Sequence, residues 1–219
     1  MLGEKLSYCA YTDINLMTNI TSSDIANADI TSIITEATKE LNSLINVHVE
    51  REKVEYIDDT RENDINGSNT TYYTKSWKGK FLADMDDDGS VSTSDITVYK
   101  VASDGTETTA TVSSIDASLG KFVLSSAPTS DYELYVTYEW CYKNPYTPDP
   151  LIKLACTLLS AAYCYAKINI GRAPQVAFGN TRIYRHIDAF NVYYQRFLKI
   201  VNLINNQLPD SRESEETIK

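Results

Sequence analysis

Four aspartates and a glycine near the middle of the chain follow the spacing of a calcium-binding loop. Calcium takes oxygen ligands at about 2.3–2.6 Å, which a twelve-residue loop supplies from positions 1, 3, 5, 7 and 12, with glycine at position 6 for a sharp turn. The segment 84–95 has carboxylates at four of these positions and Gly89 at the sixth. The predicted ligands are the side chains of Asp84, Asp86, Asp88 and Asp95 and the main-chain carbonyl of Ser90.

The surroundings of this acidic loop argue against a calcium switch. An EF-hand places a helix on each side of the loop, whereas residues 78–82 and 96–99 have the composition of strands. The pattern therefore indicates a β-turn stapled by a structural Ca²⁺. The alternative is a solvated acidic turn without an ion, although four neighbouring carboxylates would then repel one another.

No arrangement of residues in the sequence points to catalysis. The two histidines are His48 and His186, and neither has a nucleophile pattern around it. The sequence also lacks a glycine-rich phosphate loop and a GxSxG motif. We therefore expect that the chain is not an enzyme.

The four cysteines do not follow the spacing of a zinc site or of a redox motif, because none is part of a CxxC pair. Cys156 and Cys164 lie on one predicted helix, about 12 Å apart at about 1.5 Å per residue, which is too far for a disulfide. With Cys9 and Cys141, they are expected to be small buried apolar residues.

Composition excludes some classes of partner. The net charge of −10 argues against passive binding of a phosphate backbone, which needs clustered lysine and arginine. No stretch has the length and apolar character expected of a membrane span, and residues 1–5 lack the charged-then-apolar pattern of a signal peptide. We expect a protein that is made in a cytoplasm and has no membrane partner.

Apolar periodicity predicts three main helices, over residues 28–46, 150–170 and 185–207, preceded by a short helix after Thr12 and Asp13. The first has a one-sided apolar stripe, and the second is rich in alanine, which allows a neighbouring helix to approach closely. The last has apolar residues at steps of three and four, a spacing typical of a packed helix seam.

Short strands are predicted between these helices, near residues 49–57, 71–82, 96–101, 108–115, 121–125 and 132–140. They predict an α+β protein in which a helical bundle of three main helices carries an inserted small antiparallel β-barrel or sandwich. The predicted helical core is residues 1–48 and 142–208, and the inserted domain is residues 49–141. Residues 209–219 are polar and acidic, and predict a flexible C-terminal arm.

Three helical segments resemble the head–tail connector, or adaptor, proteins of long-tailed phages and related tailed viruses. The opening of that family is similar to YCAYTDINLMTNI followed by ADITSIITEATKELNSLINV, its alanine-rich middle helix to DPLIKLACTLLSAAYCYAKI, and its final long helix to HIDAFNVYYQRFLKIVNLI. Together these segments cover about a third of the chain. The inserted strands depart from the smallest members of the family, although larger members carry a comparable insertion.

This resemblance implies a structural virion protein that is made in the host cytoplasm and resides in the virion neck. Copies would form a ring, dodecameric by analogy, beneath the portal protein. The ring would extend the channel through which DNA passes without sequence-specific binding, and it would dock a tail-completion or head-closure protein. The C-terminal arm commonly reaches the portal in this family, which assigns portal binding here to Pro209, Asp210, Arg212, Glu213 and Ile218. The alternative function is a calcium-dependent binding or surface module with a helical frame.

Overall fold

The computed structural model describes residues 7–75, 81–141, 149–170 and 187–206. Within these ranges the chain is an α+β protein with four α-helices and two antiparallel sheets. The described residues divide into two compact units. The helical unit contains residues 7–45 and the described residues from 149 onward, and the β unit contains residues 46–141.

The helical unit is organised around its most apolar helix. Its elements are α1 (Tyr11–Thr18), α2 (Asn27–Ile45), α3 (Pro150–Ile170) and α4 (Ile187–Asn205). Asp149 caps α3, because its carboxylate accepts the main-chain N–H of Leu151 at 2.8 Å. Helix α3 packs against the other three helices. Its buried small residues, Ala155, Ser160, Ala161 and Ala162, allow this close approach.

The apolar stripes predicted for the outer helices face the core of this unit. In α2 the buried residues include Ile30, Ile34, Ala37, Leu41 and Ile45. In α4 the buried residues of the predicted seam are Phe197, Val201 and Ile204. The short helix predicted after Thr12 and Asp13 is α1, which begins slightly earlier, at Tyr11, and also packs on α3, so the described residues of the unit form four helices and not a bundle of three alone.

Helix α3 corrects one expectation from composition. By length and composition, Pro150–Ile168 could cross a membrane, whereas we expected no such segment. The reason for the difference is the scarcity of charged residues in this helix. A helix at the centre of a soluble core needs the same apolar composition, and 61% of the most apolar window of α3 is buried within the protein.

The larger sheet of the β unit contains five strands. The order is β1 (Asn46–Lys53), β8 (Tyr132–Cys141), β4 (Ile96–Ala102) and β5 (Glu107–Ala110), and β3 (Phe81–Leu82) also pairs with β8. The period-2 pattern predicted for β8 is confirmed, because Leu134, Val136 and Tyr138 are buried while the residues between them are partly exposed. Strand β8 pairs with β1 on one edge and with β3 and β4 on the other, so it is the central strand of the sheet.

The smaller sheet has the order β2 (Thr71–Tyr73), β7 (Lys121–Leu124) and β6 (Val112–Asp116). Tyr72 and Phe122 are fully buried in it, and their rings stack with centroids 5.8 Å apart. These two aromatic side chains form the centre of this part of the β unit.

Two predicted strands are each divided between the sheets. The single strand predicted at 108–115 is β5 in the larger sheet and β6 in the smaller one, with Thr111 between them. The strand predicted at 71–82 is likewise divided into β2 and β3. The prediction failed at Thr111 because no glycine or proline marks the point where the chain changes sheets.

The described strands form two antiparallel sheets and not a closed barrel. Closing a barrel requires the two end strands of one sheet to pair with each other. In the described part of the chain, β1 and β5 are instead the ends of the path β1-β8-β4-β5. Of the two predicted architectures for the inserted domain, the closed barrel is therefore wrong.

Candidate metal centre

The acidic loop lies between two strands, β3 and β4, that pair with the same edge of β8, so it does not join the two arms of a hairpin. Strand β3 pairs with β8 through Leu82 and Trp140, and β4 begins to pair with it through Ile96 and Tyr138. Because β1 occupies the opposite edge of β8, β3 and β4 follow each other along the same edge. The N–H of Ala83 still donates to the carbonyl of Glu139 on β8 at 2.9 Å, and residues 84–95 then leave this edge and return to it at Ile96. Both ends of the loop are therefore held by one central strand.

Asp84 is the buried member of the predicted ligand set. It is 3% exposed, and its carboxylate accepts two main-chain N–H groups from further along the loop. One oxygen accepts from Gly89 at 2.8 Å and the other from Asp88 at 3.2 Å. These bonds curl the chain around the carboxylate, so the other acidic side chains are brought toward it.

The next two aspartates continue this turn at the surface. Asp86 is exposed and accepts the N–H of Asp88 at 3.1 Å. Asp88 is also exposed and accepts the N–H and the hydroxyl of Ser90, at 2.8 and 2.7 Å. Gly89 has a φ of 88°, in the left-handed region that favours glycine. The turn predicted at position 6 is thus present, and Asp87 just before it also has a positive φ of 56°.

Asp95 holds the loop closed through main-chain bonds. It is 2% exposed and lies in a short 3-10 helix, Thr93–Asp95, just before β4. One carboxylate oxygen accepts the N–H groups of Met85 at 2.6 Å and Asp86 at 3.3 Å, and the other accepts the N–H of Ser92 at 2.7 Å. The structure therefore places the predicted position-12 ligand against the loop backbone at both ends of the loop.

The electrostatics of the site disfavour its full ionisation. Burial raises the pKa of Asp84 to about 6, and the negative charges of Asp95, Asp88 and Asp87 add to this rise, while the bond from Gly89 opposes it. Burial also raises the pKa of Asp95, against the effect of its three main-chain donors. A cation would remove the repulsion that opposes ionisation of these carboxyls.

Three of the predicted ligands are close enough to hold one ion. Carboxylate oxygens of Asp84, Asp86 and Asp88 lie within 4.8 Å of one another, so these residues could hold a metal ion. Oxygens bound to a common calcium ion at about 2.3–2.6 Å lie at most about 5 Å apart, which this cluster satisfies. A donor set made only of oxygens suits a hard cation such as calcium, magnesium or manganese.

His48, which the sequence also singled out, is not one of the residues of this cluster. The ring of His48 lies on β1, 52% exposed, with its Nδ1 atom 3.5 Å from a carboxylate oxygen of Glu139. His186 lies outside the described residues, as do all five residues assigned to portal binding: Pro209, Asp210, Arg212, Glu213 and Ile218.

The structure also joins two residues that the sequence gave no reason to pair. Cys9, before α1, and Cys156, on α3, have their Sγ atoms 3.3 Å apart. All four cysteines are buried, as predicted. The proximity of this pair went unpredicted because 147 residues separate the two thiols, and only the packing of residues 7–10 beside α3 brings them together.

Comparison with known proteins assigns no family to this chain. No protein-family model matches it, and no curated protein has a matching sequence. Its function is therefore to be inferred from its own residues and their arrangement.

Proposed function

We propose that the chain is a structural virion protein, a head–tail connector subunit that forms a ring beneath the portal. One observation carries this proposal. The segments that resemble connector proteins are far apart in the sequence, yet they correspond to α1 with α2, to α3 and to α4, and these helices pack as one unit. The described residues of 46–141, which come between α2 and α3 in the sequence, form a second compact unit.

The helical unit has features that suit a subunit of a larger assembly. Its core is filled by α3, so the outer faces of the other helices are available for further contacts. Three large apolar side chains are at least half exposed there: Leu16 on α1 (84%), and Val192 and Leu203 on α4 (50% each). In the proposed ring, neighbouring copies of the chain cover these side chains.

The proposed ring, dodecameric by the same resemblance, extends the DNA channel and docks a tail-completion or head-closure protein. The net charge of −10 suits a channel that DNA crosses without being gripped. Residues 209–219 serve as the arm that orders on the portal.

Within this protein, we infer that Ca²⁺ is the ion for the acidic loop. The fit rests on the donor chemistry: Asp84, Asp86 and Asp88 offer only oxygens, and the turn at Gly89 has the conformation that such loops require. The ion would neutralise the carboxylates and stiffen the excursion between β3 and β4. It has no part in a reaction and fixes the shape of the β unit.

Electron microscopy of the full chain mixed with the portal encoded by the same genome tests the connector role. We expect an added ring stacked beneath the portal, absent when either protein is omitted. Portals that stay bare at high concentrations of this protein, with and without calcium, would contradict the connector proposal.

The second candidate, a calcium-dependent binding or surface module, is favoured by the same three carboxylates. The two functions differ in what calcium does. A connector assembles on its template and uses the ion only for stability, whereas the module binds its ligand only when calcium is present. Ring assembly in the presence of a calcium chelator would therefore support the connector function. It would also exclude a module that needs calcium in order to bind.

Calcium binding itself is measured by isothermal titration of the chain with CaCl₂. We expect heat of binding in the parent protein and none after Asp86→Ala combined with Asp88→Ala. The matched control is Asp58→Ala combined with Asp59→Ala, which removes two acidic side chains elsewhere in the β unit. A parent protein with neither calcium-dependent heat nor a melting shift would show that the loop is an ion-free acidic turn.

A further inference from the structure

The thiol of Cys9 donates a hydrogen bond to the sulfur of Cys156, with the two Sγ atoms 3.3 Å apart. Cys156 is fully buried and Cys9 is 5% exposed. An S–S bond is about 2.05 Å long, so the sulfur atoms need to approach by only about 1.2 Å to become bonded.

The backbone near Cys9 is already fixed in position. The hydroxyl of Tyr8 donates to the side-chain oxygen of Asn42 on α2 at 2.7 Å, and both residues are buried. The hydroxyl of Ser7 donates to the carbonyl of Cys9 at 2.7 Å. These bonds hold the segment before α1 against α2, with the Cys9 thiol beside Cys156 on α3.

The two sulfurs differ in access and in acidity. Cys9 lines a cavity of about 510 Å³ with Ser7, Tyr11, Asp13 and Lys153, whereas Cys156 does not. The hydrogen bond from Cys9 lowers the pKa of Cys156, with a further contribution from Thr38, whose hydroxyl is 3.6 Å from the same sulfur. The same bond and burial raise the pKa of Cys9. A small reagent in the cavity thus meets Cys9 first, with the more acidic thiol directly behind it.

We propose that Cys9 and Cys156 form a reversible disulfide by exchange with a small-molecule disulfide, and that this bond fastens the segment before α1 to α3. The pair stays reduced in a reducing cytosol and closes in oxidising surroundings. This modification site is independent of the proposed connector function, because it requires only the fold of the helical unit.

The exchange has two balanced steps. Cys156, the more acidic thiol, takes the Cys9 proton as a thiolate through their hydrogen bond. The Cys9 thiolate then attacks one sulfur of the reagent, the reagent S–S bond breaks, and the first thiolate leaves and takes up that proton. The Cys156 sulfur then attacks the Cys9 sulfur of the mixed disulfide, and the second thiol leaves with the Cys156 proton. The protein loses two hydrogen atoms, and the reagent gains them.

The test treats the folded full-length chain with 2-hydroxyethyl disulfide and maps its peptides by mass spectrometry. We expect a product lighter by two hydrogen atoms in which the peptides of Cys9 and Cys156 are linked, reversed by dithiothreitol. Cys156→Ala should stop at a mixed disulfide on Cys9. Cys164→Ala, which removes another buried cysteine of α3, should leave the link intact.

A second readout is the melting of the helical unit, followed by circular dichroism. Because the bond closes a very long loop in the unfolded chain, the linked protein should melt about 5 °C or more above the reduced protein. Three results would each overturn the proposal. In the first, the thiols of the folded chain do not react with the reagent, although those of the urea-unfolded chain do. In the second, the parent chain stops at the mixed disulfide. In the third, the linked chain melts at no higher temperature than the reduced chain.

Discussion

The carboxylate of Asp84 accepts the main-chain N–H of Gly89 at 2.8 Å while it is almost completely buried. The bond shapes the acidic loop, but burial raises the pKa of this carboxyl to about 6, from an ordinary value of 3.8. Between these two pH values the folded chain holds a proton that the unfolded chain has released. The free energy of unfolding therefore falls as the pH rises from about 4 to about 6.

The raised pKa of Asp84 predicts how the stability of the calcium-free protein changes with pH. The parent chain should lose more stability between about pH 4 and about pH 6 than Asp84→Asn, because the asparagine has no proton to release. The measurement is the melting midpoint in a calcium chelator, followed by tryptophan fluorescence, since both tryptophans lie between residues 46 and 141. Equal losses in the two proteins would show that Asp84 ionises in the folded chain as it does in water.

Calcium should reverse the pH trend. The ion binds the ionised carboxylates, so its stabilisation of the β unit should be greater at pH 7 than at pH 5. At a hundredfold excess over Kd, it should amount to about 2.7 kcal/mol. Melting at both pH values, with and without CaCl₂, checks this. The Asp86→Ala and Asp88→Ala double variant provides the control and should show no calcium-dependent shift at either pH.

Asp95 gives a separate prediction about what closes the loop. Asp95→Ala leaves the partly buried N–H groups of Met85 and Ser92 without their acceptor, so it should destabilise the calcium-free β unit by about 2 kcal/mol. Asp95→Asn keeps one acceptor oxygen and should cost about half as much. Urea unfolding measures both variants. An alanine variant as stable as the parent would mean that water replaces the carboxylate freely.

Titration of the asparagine variant with calcium then decides whether Asp95 is also a ligand. If its role is only to hold the backbone, calcium affinity should fall less than tenfold. A complete loss of binding would instead place Asp95 in the coordination shell, as the loop spacing predicts.

The elements with strong local signals could be predicted from the sequence. The 3.6-residue periodicity of α2 and the alternation along β8 each arise from one face being buried, so the pattern and the structure have the same cause. The proline and aspartate at the start of α3 are equally local, because the cap forms between neighbouring residues.

Features that depend on long-range packing could not be predicted in this way. Thr111 looks like an ordinary strand residue, and only the competition between two sheets makes the chain change partners there. The candidate site shows both cases. The turn at Gly89 follows from spacing, but the use of Asp95 as a main-chain acceptor depends on how the loop returns to β8. The pairing of Cys9 with Cys156 left no signal in the sequence at all.

The C-terminal arm carries a prediction that concerns the portal and not folding. A chain that ends at Leu208 should fold and melt like the full-length chain, because the predicted arm, residues 209–219, is polar and acidic. Its attachment to the portal should be reduced at least tenfold, as measured by co-sedimentation. A scrambled arm of the same composition controls for charge. Equal attachment of the truncated and full-length chains would remove residues 209–219 from the interface.

The exposed face of α4 tests the ring itself. Val192 and Leu203 are each 50% exposed and lie eleven residues apart, which is about three turns, so they lie on the same side of the helix. Glutamate at both positions should change the free energy of unfolding of the isolated chain by less than about 1 kcal/mol, because neither side chain is part of the core. The same charges should prevent ring formation on the portal, since neighbouring copies would have to bury them.

The control variant is Gln195→Glu with Asn202→Glu. It adds the same charge at exposed polar positions of α4 and should leave the ring intact. Electron microscopy compares the two variants at equal concentration. Rings formed equally well by both would show that this face of α4 is not where the copies meet.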